Sequence, residues 1–146
     1  MGRREPGRDF GVTAAPTLAM KAALLGRAYR IPYGGGTDLI FVDDVARALV
    51  AAAGATLDGA RVYNLHGESI AIAEVVRAIE EACPAGTGLL SHAEPAMSFA
   101  DALDDAGYQR DLGPAPRTSF ADGVRRTLDE FERLRKDGRL DARELG

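Results

Sequence analysis

The chain has one cysteine, Cys83, so it can close no disulfide within itself. It has no run approaching the roughly 18 consecutive apolar residues that a membrane span requires. It also lacks an excess of positive charge. With 18 basic and 22 acidic residues its formal charge is −4, which leaves no electrostatic footprint for nucleic acid. The basic clusters, Arg125 with Arg126 and those between Arg133 and Arg139, are interleaved with Asp129, Glu130, Glu132 and Asp137, as on a solvated helix face. Nothing near Met1 resembles an apolar signal core, so the cytoplasm is the expected compartment, with neither membrane nor nucleic acid as a partner.

The chemistry-bearing patterns are equally sparse. Gly34, Gly35 and Gly36 lie between two apolar stretches without the spacing of a dinucleotide-binding loop, so they read as a tight turn exploiting positive φ. A tyrosine acting as an acid or base beside a lysine four places on is also missing. Tyr29, Tyr33, Tyr63 and Tyr108 are followed at that distance by Tyr33, Thr37, Gly67 and Leu112. His66 and His92 are 26 residues apart, with no cysteine or paired carboxylate at metal-ligand spacing. Cys83, between Ala82 and Pro84, reads as a small packed residue at a helix end.

What remains is a regular alternation of strands and helices. At 146 residues the chain fits one domain, which buries roughly 68–70% of its unfolded surface. Residues 14–26 are rich in helix formers, with Thr13 or Thr17 as the cap and Gly26 as the stop. Residues 28–33 read as a strand with Tyr29, Ile31 and Tyr33 on one side, and residues 39–42 as a strand covered on both faces. Asp43 or Asp44 then caps a helix bearing Val45, Leu49, Val50 and Ala53.

Residues 61–65 form the next expected strand. Ser69 is placed to cap a helix carrying Ile72, Val75, Val76, Ile79 and Ala82, which Pro84 ends. A brief edge strand at Leu89 and Leu90 and a short helix over 99–108 follow. The last helix opens at Thr118 or Ser119, with Asp122 in capping-box position, buries Phe120, Val124, Leu128, Phe131 and Leu134, and closes at Gly138. The class is therefore α/β, with only three or four short strands.

In this order the segments resemble the C-terminal half of the extended short-chain dehydrogenase/reductases, the NAD-dependent epimerases and dehydratases. Asp38-Leu39-Ile40-Phe41-Val42-Asp43-Asp44-Val45-Ala46 resembles the family's strand and helix after the substrate region. Val62-Tyr63-Asn64-Leu65 resembles its last strand, and Thr118-Ser119-Phe120 with Gly123-Val124 its closing helix after Leu112-Gly113-Pro114. Pro6-Gly7-Arg8 resembles the end of its Tyr-Gly-Pro segment.

The resemblance implies a Rossmann-type architecture of which this chain is the substrate-binding part, over 7–140. Residues 1–6 are then disordered or the scar of a truncation, and 141–146 a tail. It implies NAD or NADP for the intact family and no cofactor for the chain itself. It implies hydride-transfer chemistry for the parent, none for the chain alone, and pocket contacts at Arg8, Thr13 and Tyr33.

Two departures bear on substrate. Where members acting on nucleotide-diphosphate sugars carry Arg before the strand motif, this chain has Thr37, and 92–97 supplies no second Arg. The implied substrate is a smaller sugar, sugar acid or other hydroxy or keto compound. The competing readings are a non-catalytic binding or assembly module and a product without selected function. The resemblance also implies that the missing half uncovers apolar surface at residues 39–42 and 61–65 and at Val45, Leu49, Val75 and Ile79, favouring a homo-oligomer.

Overall fold

The computed structural model describes residues 12–97, 100 and 102–145. A 3-10 turn at Val12–Ala14 leads into α1 (Ala15–Leu24). Neither threonine caps this helix. Ala14 holds the cap position and makes no side-chain bond there, because the preceding 3-10 turn already supplies the first carbonyls. The stop is as expected: Gly26 takes φ +63°, and the Arg27 amide reaches back to the Ala22 carbonyl at 2.9 Å.

β1 (Tyr29–Ile31) and β2 (Gly36–Leu39) follow, then α2 (Val42–Gly54). The second strand thus starts three residues before its expected position and ends where it was expected to begin. Phe41 becomes the helix cap, Val42 is helical and exposed, and Asp43 and Asp44 fall in the first turn rather than at the cap. β2 is set instead by its antiparallel partner β3 (Glu68–Ala71), with Gly36 opposite Ala71 and Leu39 opposite Glu68.

Ser69 therefore lies in a strand opposite Asp38 rather than capping a helix, and α3 (Ile72–Ala82) starts behind Ala71. The Ile72 amide, one of the donors a helix start leaves open, bonds the Gly35 carbonyl at 2.9 Å. Pro84 does end α3, in a 3-10 turn at Pro84–Gly86. β4 (Leu90–His92) pairs in parallel with β1, Tyr29 opposite Leu90. The expected helix over 99–108 starts later, as α4 (Ala106–Leu112), and Phe99 lies outside the described residues.

Residues 61–65 form no ladder. Their side chains keep a strand-like alternation, Tyr63 and Leu65 half-buried and Val62 and Asn64 exposed, but they pair with no strand among the described residues. Among the described residues the fold is α/β with four short strands in two separate pairs.

α5 (Phe120–Lys136) begins as its sequence indicates. Ser119 is the cap, its hydroxyl accepting from the Asp122 amide at 3.2 Å and donating to the Asp122 carboxylate at 2.9 Å. Gly138 closes it with φ +67°. The core lies between α1, α3 and α5 and over the β1–β4 pair, where Ile31, Ile72, Val75, Ile79 and Val124 are all but inaccessible. Val75 and Ile79 are therefore not uncovered faces. α1 and α5 close over them, because α3 carries its apolar residues three and four apart on the side that faces both helices. No helix among the described residues is long and apolar enough to cross a membrane.

α2 packs closely on none of the other helices; it is tied to α5 by its cap residue Phe41, whose ring lies under the Arg126 guanidinium, and by Asp44, 1% exposed. This carboxylate accepts the Thr118 amide at 2.6 Å, the Thr118 hydroxyl at 3.0 Å and the Arg47 guanidinium at 3.1 Å. Glu68 takes the Phe120 amide at 2.7 Å. Two carboxylates from distant segments thus sit at the positive end of α5, where first-turn amides lack helical partners. Asp44→Ala should cost about 2–3 kcal/mol, since it strands buried donors that had a charged acceptor, while Asp43→Ala should cost under about 1 kcal/mol. Urea unfolding of the two variants measures the difference.

Candidate functional site

The glycine run proves to be three positions with three jobs. Gly35 alone is left-handed, at φ +77°. Gly34 is required by close approach instead: a β-carbon there would lie 2.4 Å from the Ala93 carbonyl oxygen. Gly36 opens β2. The Gly34 amide bonds the Pro95 carbonyl at 2.9 Å, so the glycines clasp the 93–96 loop against the end of β1.

Beside this clasp lies a pocket of about 260 Å³ walled by Thr13, Tyr33, Thr37, Asp38 and Leu103. Thr13 and Tyr33 therefore meet in one cavity, and Arg8 lies outside the described residues. Thr13 and Leu39 also line a second, larger cavity of about 400 Å³ between α1 and α5, walled by Met20, Phe41, Phe120 and Phe131. Together the two spaces resemble a small-molecule site in size and in lining.

The only charged side chain among the described residues lining the smaller pocket is Asp38, and its oxygens are committed. One accepts the Gly67 amide at 2.8 Å. The other meets His66 Nδ1 at 2.6 Å and accepts the Leu103 amide at 3.1 Å. Asp38 thereby joins β2 to the loops on either side of it and has little capacity left for a ligand. Gly67 is needed for the same closeness, since a β-carbon would fall 2.0 Å from the Leu39 carbonyl oxygen.

Thr37, opposite Ile70 in the β2–β3 ladder, is buried. Tyr33 is buried too. Burial pushes its phenol above the usual tyrosine range and Tyr29 adds to the effect, so near neutrality it is an uncharged hydrogen-bonding group and not a base. The pocket offers hydroxyls and apolar surface. Reading the sequence missed Asp38 as the organiser of this wall, although a lone carboxylate inside an apolar strand is a usable signal for such a role.

The remaining candidates separate. His92 Nδ1 lies 2.9 Å from the Ala93 carbonyl, and Cys83 is buried at the end of α3. Among the described residues no three of His, Cys, Asp and Glu cluster as metal ligands would. Behind Asp38, Asp105 accepts from Gln109 at 2.6 Å and from Arg117 at 2.7 Å. Burial works against its charge, but Gln109, Arg117 and the nearby His66 outweigh it and hold the carboxyl below its ordinary value.

No family model matches the chain, and no curated protein matches it by sequence. Solved structures do match its fold. A partial-consensus L-threonine 3-dehydrogenase superposes with a TM-score of 0.72 at 21% identity, over 91% of this chain and 46% of its own. UDP-glucose 4-epimerase from Thermotoga maritima, solved with UDP-glucose, gives 0.69 at 22% identity, over 90% and 42%. The Bordetella bronchiseptica enzyme WbmF, in complex with NAD+, gives 0.67 at 26% identity, over 84% and 37%. These are extended short-chain dehydrogenase/reductases, and the chain has the fold of their C-terminal part. It spans less than half the length of each.

The Asp105 cluster behind the pocket should make stability depend on acid. A carboxyl whose folded value lies below its unfolded value, about 3.9, contributes stability above that pH and loses it as the pH falls through the folded value. Asp105→Asn should therefore lower stability at pH 6 and flatten its fall below about pH 4. Urea titrations of both proteins across that range give the comparison.

Proposed function

We propose that residues 7–140 are the substrate-binding part of an NAD(P)-dependent epimerase- or dehydratase-like oxidoreductase, and that its substrate is a small sugar, sugar acid or related hydroxy or keto compound. The observation that carries this reading is the pocket between the glycine clasp and β2, in a fold shared with the C-terminal part of sugar-nucleotide enzymes. Thr13, Tyr33 and Thr37 bring hydroxyl-bearing side chains to it, and the one carboxylate among its described lining residues is already bonded to main-chain amides and His66.

Hydroxyls suit the hydroxyl and carbonyl groups of a sugar. A diphosphate is different: it needs paired cations, and the described lining has neither Lys nor Arg, with Thr37 buried where the family resemblance looks for one. The role of the chain is to bind and orient the substrate. The nicotinamide and the acid/base pair that moves hydride and proton are supplied, in this reading, by a cofactor-binding half, since the sequence contains no glycine fingerprint and no Tyr with Lys four residues on.

Calorimetry and thermal melts test the proposal. A ligand raises stability only as far as it binds the native state. Millimolar hexose or hexuronate should raise the melting temperature, and Tyr33→Phe should reduce that rise. UDP-glucose should give no rise on the unmodified chain, with Thr37→Arg the change that introduces one. NAD and NADP should show no micromolar binding. One-to-one binding of either nucleotide, or a clear rise with UDP-glucose, would overturn the reading.

A further inference from the structure

His66 stands between two carboxylates. Its Nδ1 lies 2.6 Å from Asp38 on β2, and Asp105, just before α4, is the second acid on which its charge acts. The Asp38 side chain is 6% exposed and that of His66 23%, so the acid is shielded while the imidazole still exchanges its proton with water. Asp105 has a cation of its own, Arg117 at 2.7 Å, together with Gln109 at 2.6 Å. The neighbouring acids are engaged elsewhere: Glu68 accepts the Phe120 amide at 2.7 Å and Asp104 the Ala106 amide at 2.9 Å.

The charge at the smaller pocket therefore turns on one proton. With His66 charged, it cancels Asp38 as Arg117 cancels Asp105. With His66 neutral, one negative charge remains, and it stands on the wall of the pocket of about 260 Å³. No cation among the described lining residues offsets it, and Tyr33 is uncharged near neutrality. The shape of the wall does not need the proton. A neutral imidazole protonated on Nδ1 still donates to Asp38, and the Gly67 and Leu103 amides, at 2.8 and 3.1 Å, hold the carboxylate in place. Histidine is the side chain whose ordinary titration falls between about pH 5 and 8, so the field in the pocket changes over that range while its geometry stays.

We propose that His66 is a specificity-determining residue of this pocket: its proton cancels the charge of Asp38 and so admits a ligand bearing a carboxylate, a sugar acid or hydroxy acid. A neutral sugar enters whether or not the proton is present. His66 is not part of the described lining, so it acts through Asp38 and not by touching the ligand. An acid that enters beside an unbalanced Asp38 meets a like charge within one small cavity, which weakens binding by about fivefold or more. The inference rests on the substrate reading for its ligand and on the His66–Asp38 geometry for its mechanism.

Calorimetric titration of the 146-residue chain with glucuronate should show affinity falling about fivefold or more between about pH 5.5 and pH 8, a range in which a sugar acid stays ionised. Glucose, uncharged, should change less than about twofold. His66→Gln keeps a donor for Asp38 and removes the titration, so its glucuronate profile should be flat at the weak level. The chain's other histidine is the control: His92→Gln should keep the slope. A ligand-free measurement separates this inference from the substrate reading. In NMR spectra of the unmodified chain the Gly67 and Leu103 amides should titrate in step with the His66 imidazole. If they do and neither compound binds at any pH, the substrate reading falls while the control of the pocket's charge by His66 is upheld. Amides indifferent to the imidazole, a glucuronate profile that is flat in the unmodified chain or survives His66→Gln, or glucose weakening in parallel with glucuronate would each overturn the proposal.

Discussion

Two carboxylates on one short stretch, Asp38 and Asp44, hold the long-range geometry together. Each receives a main-chain amide that no helix or strand could satisfy: Gly67 and Leu103 on the first, Thr118 on the second. Irregular segments carry peptide groups that must be paired or solvated, and a charged acceptor is the strongest partner a side chain can offer. The loop before β3, the loop before α4 and the entry to α5 are thereby anchored to a single passage of chain running from β2 into α2. The wall of the pocket and the position of α5 follow from that anchoring.

The same anchoring explains what could and could not be read from the sequence. Helices announced by periodicity were legible. Val75 and Ile79 in α3 and Val124 and Leu128 in α5 recur on one face, and Gly26 and Gly138 stop their helices by left-handed turns. Strand limits were not legible, because β2 is defined by its neighbour. Ile40, Phe41 and Val42 are as apolar as any strand, yet the β3 ladder ends at Leu39 and the chain turns into a helix. Ser69 looked like a cap for the converse reason: its strand partner, Asp38, lies 31 positions away in the chain.

The site was partly legible. Thr13 and Tyr33 line one pocket, whereas Arg8 falls outside the described residues. The glycine run was read as a turn and is also a clasp, since Gly34 serves the neighbouring loop rather than its own dihedral angles. Close approach of two backbones leaves no local mark in a sequence beyond the glycine itself. The committed state of Asp38 is likewise invisible until His66, Gly67 and Leu103 are seen to converge on it.

The separation of the sheet into two pairs has a further consequence, for the order in which contacts can close. The β2–β3 register ties residues 39 and 68, 29 positions apart, while β1–β4 ties residues 29 and 90, 61 positions apart. Closing a loop twice as long costs about 0.6 kcal/mol more in chain entropy, and the longer loop encloses the shorter. The antiparallel pair is thus the cheaper junction, and once formed it shortens the effective path for the parallel one. α1 and α3, which pack on β1 and β4, supply by side-chain burial what three rungs of parallel ladder cannot.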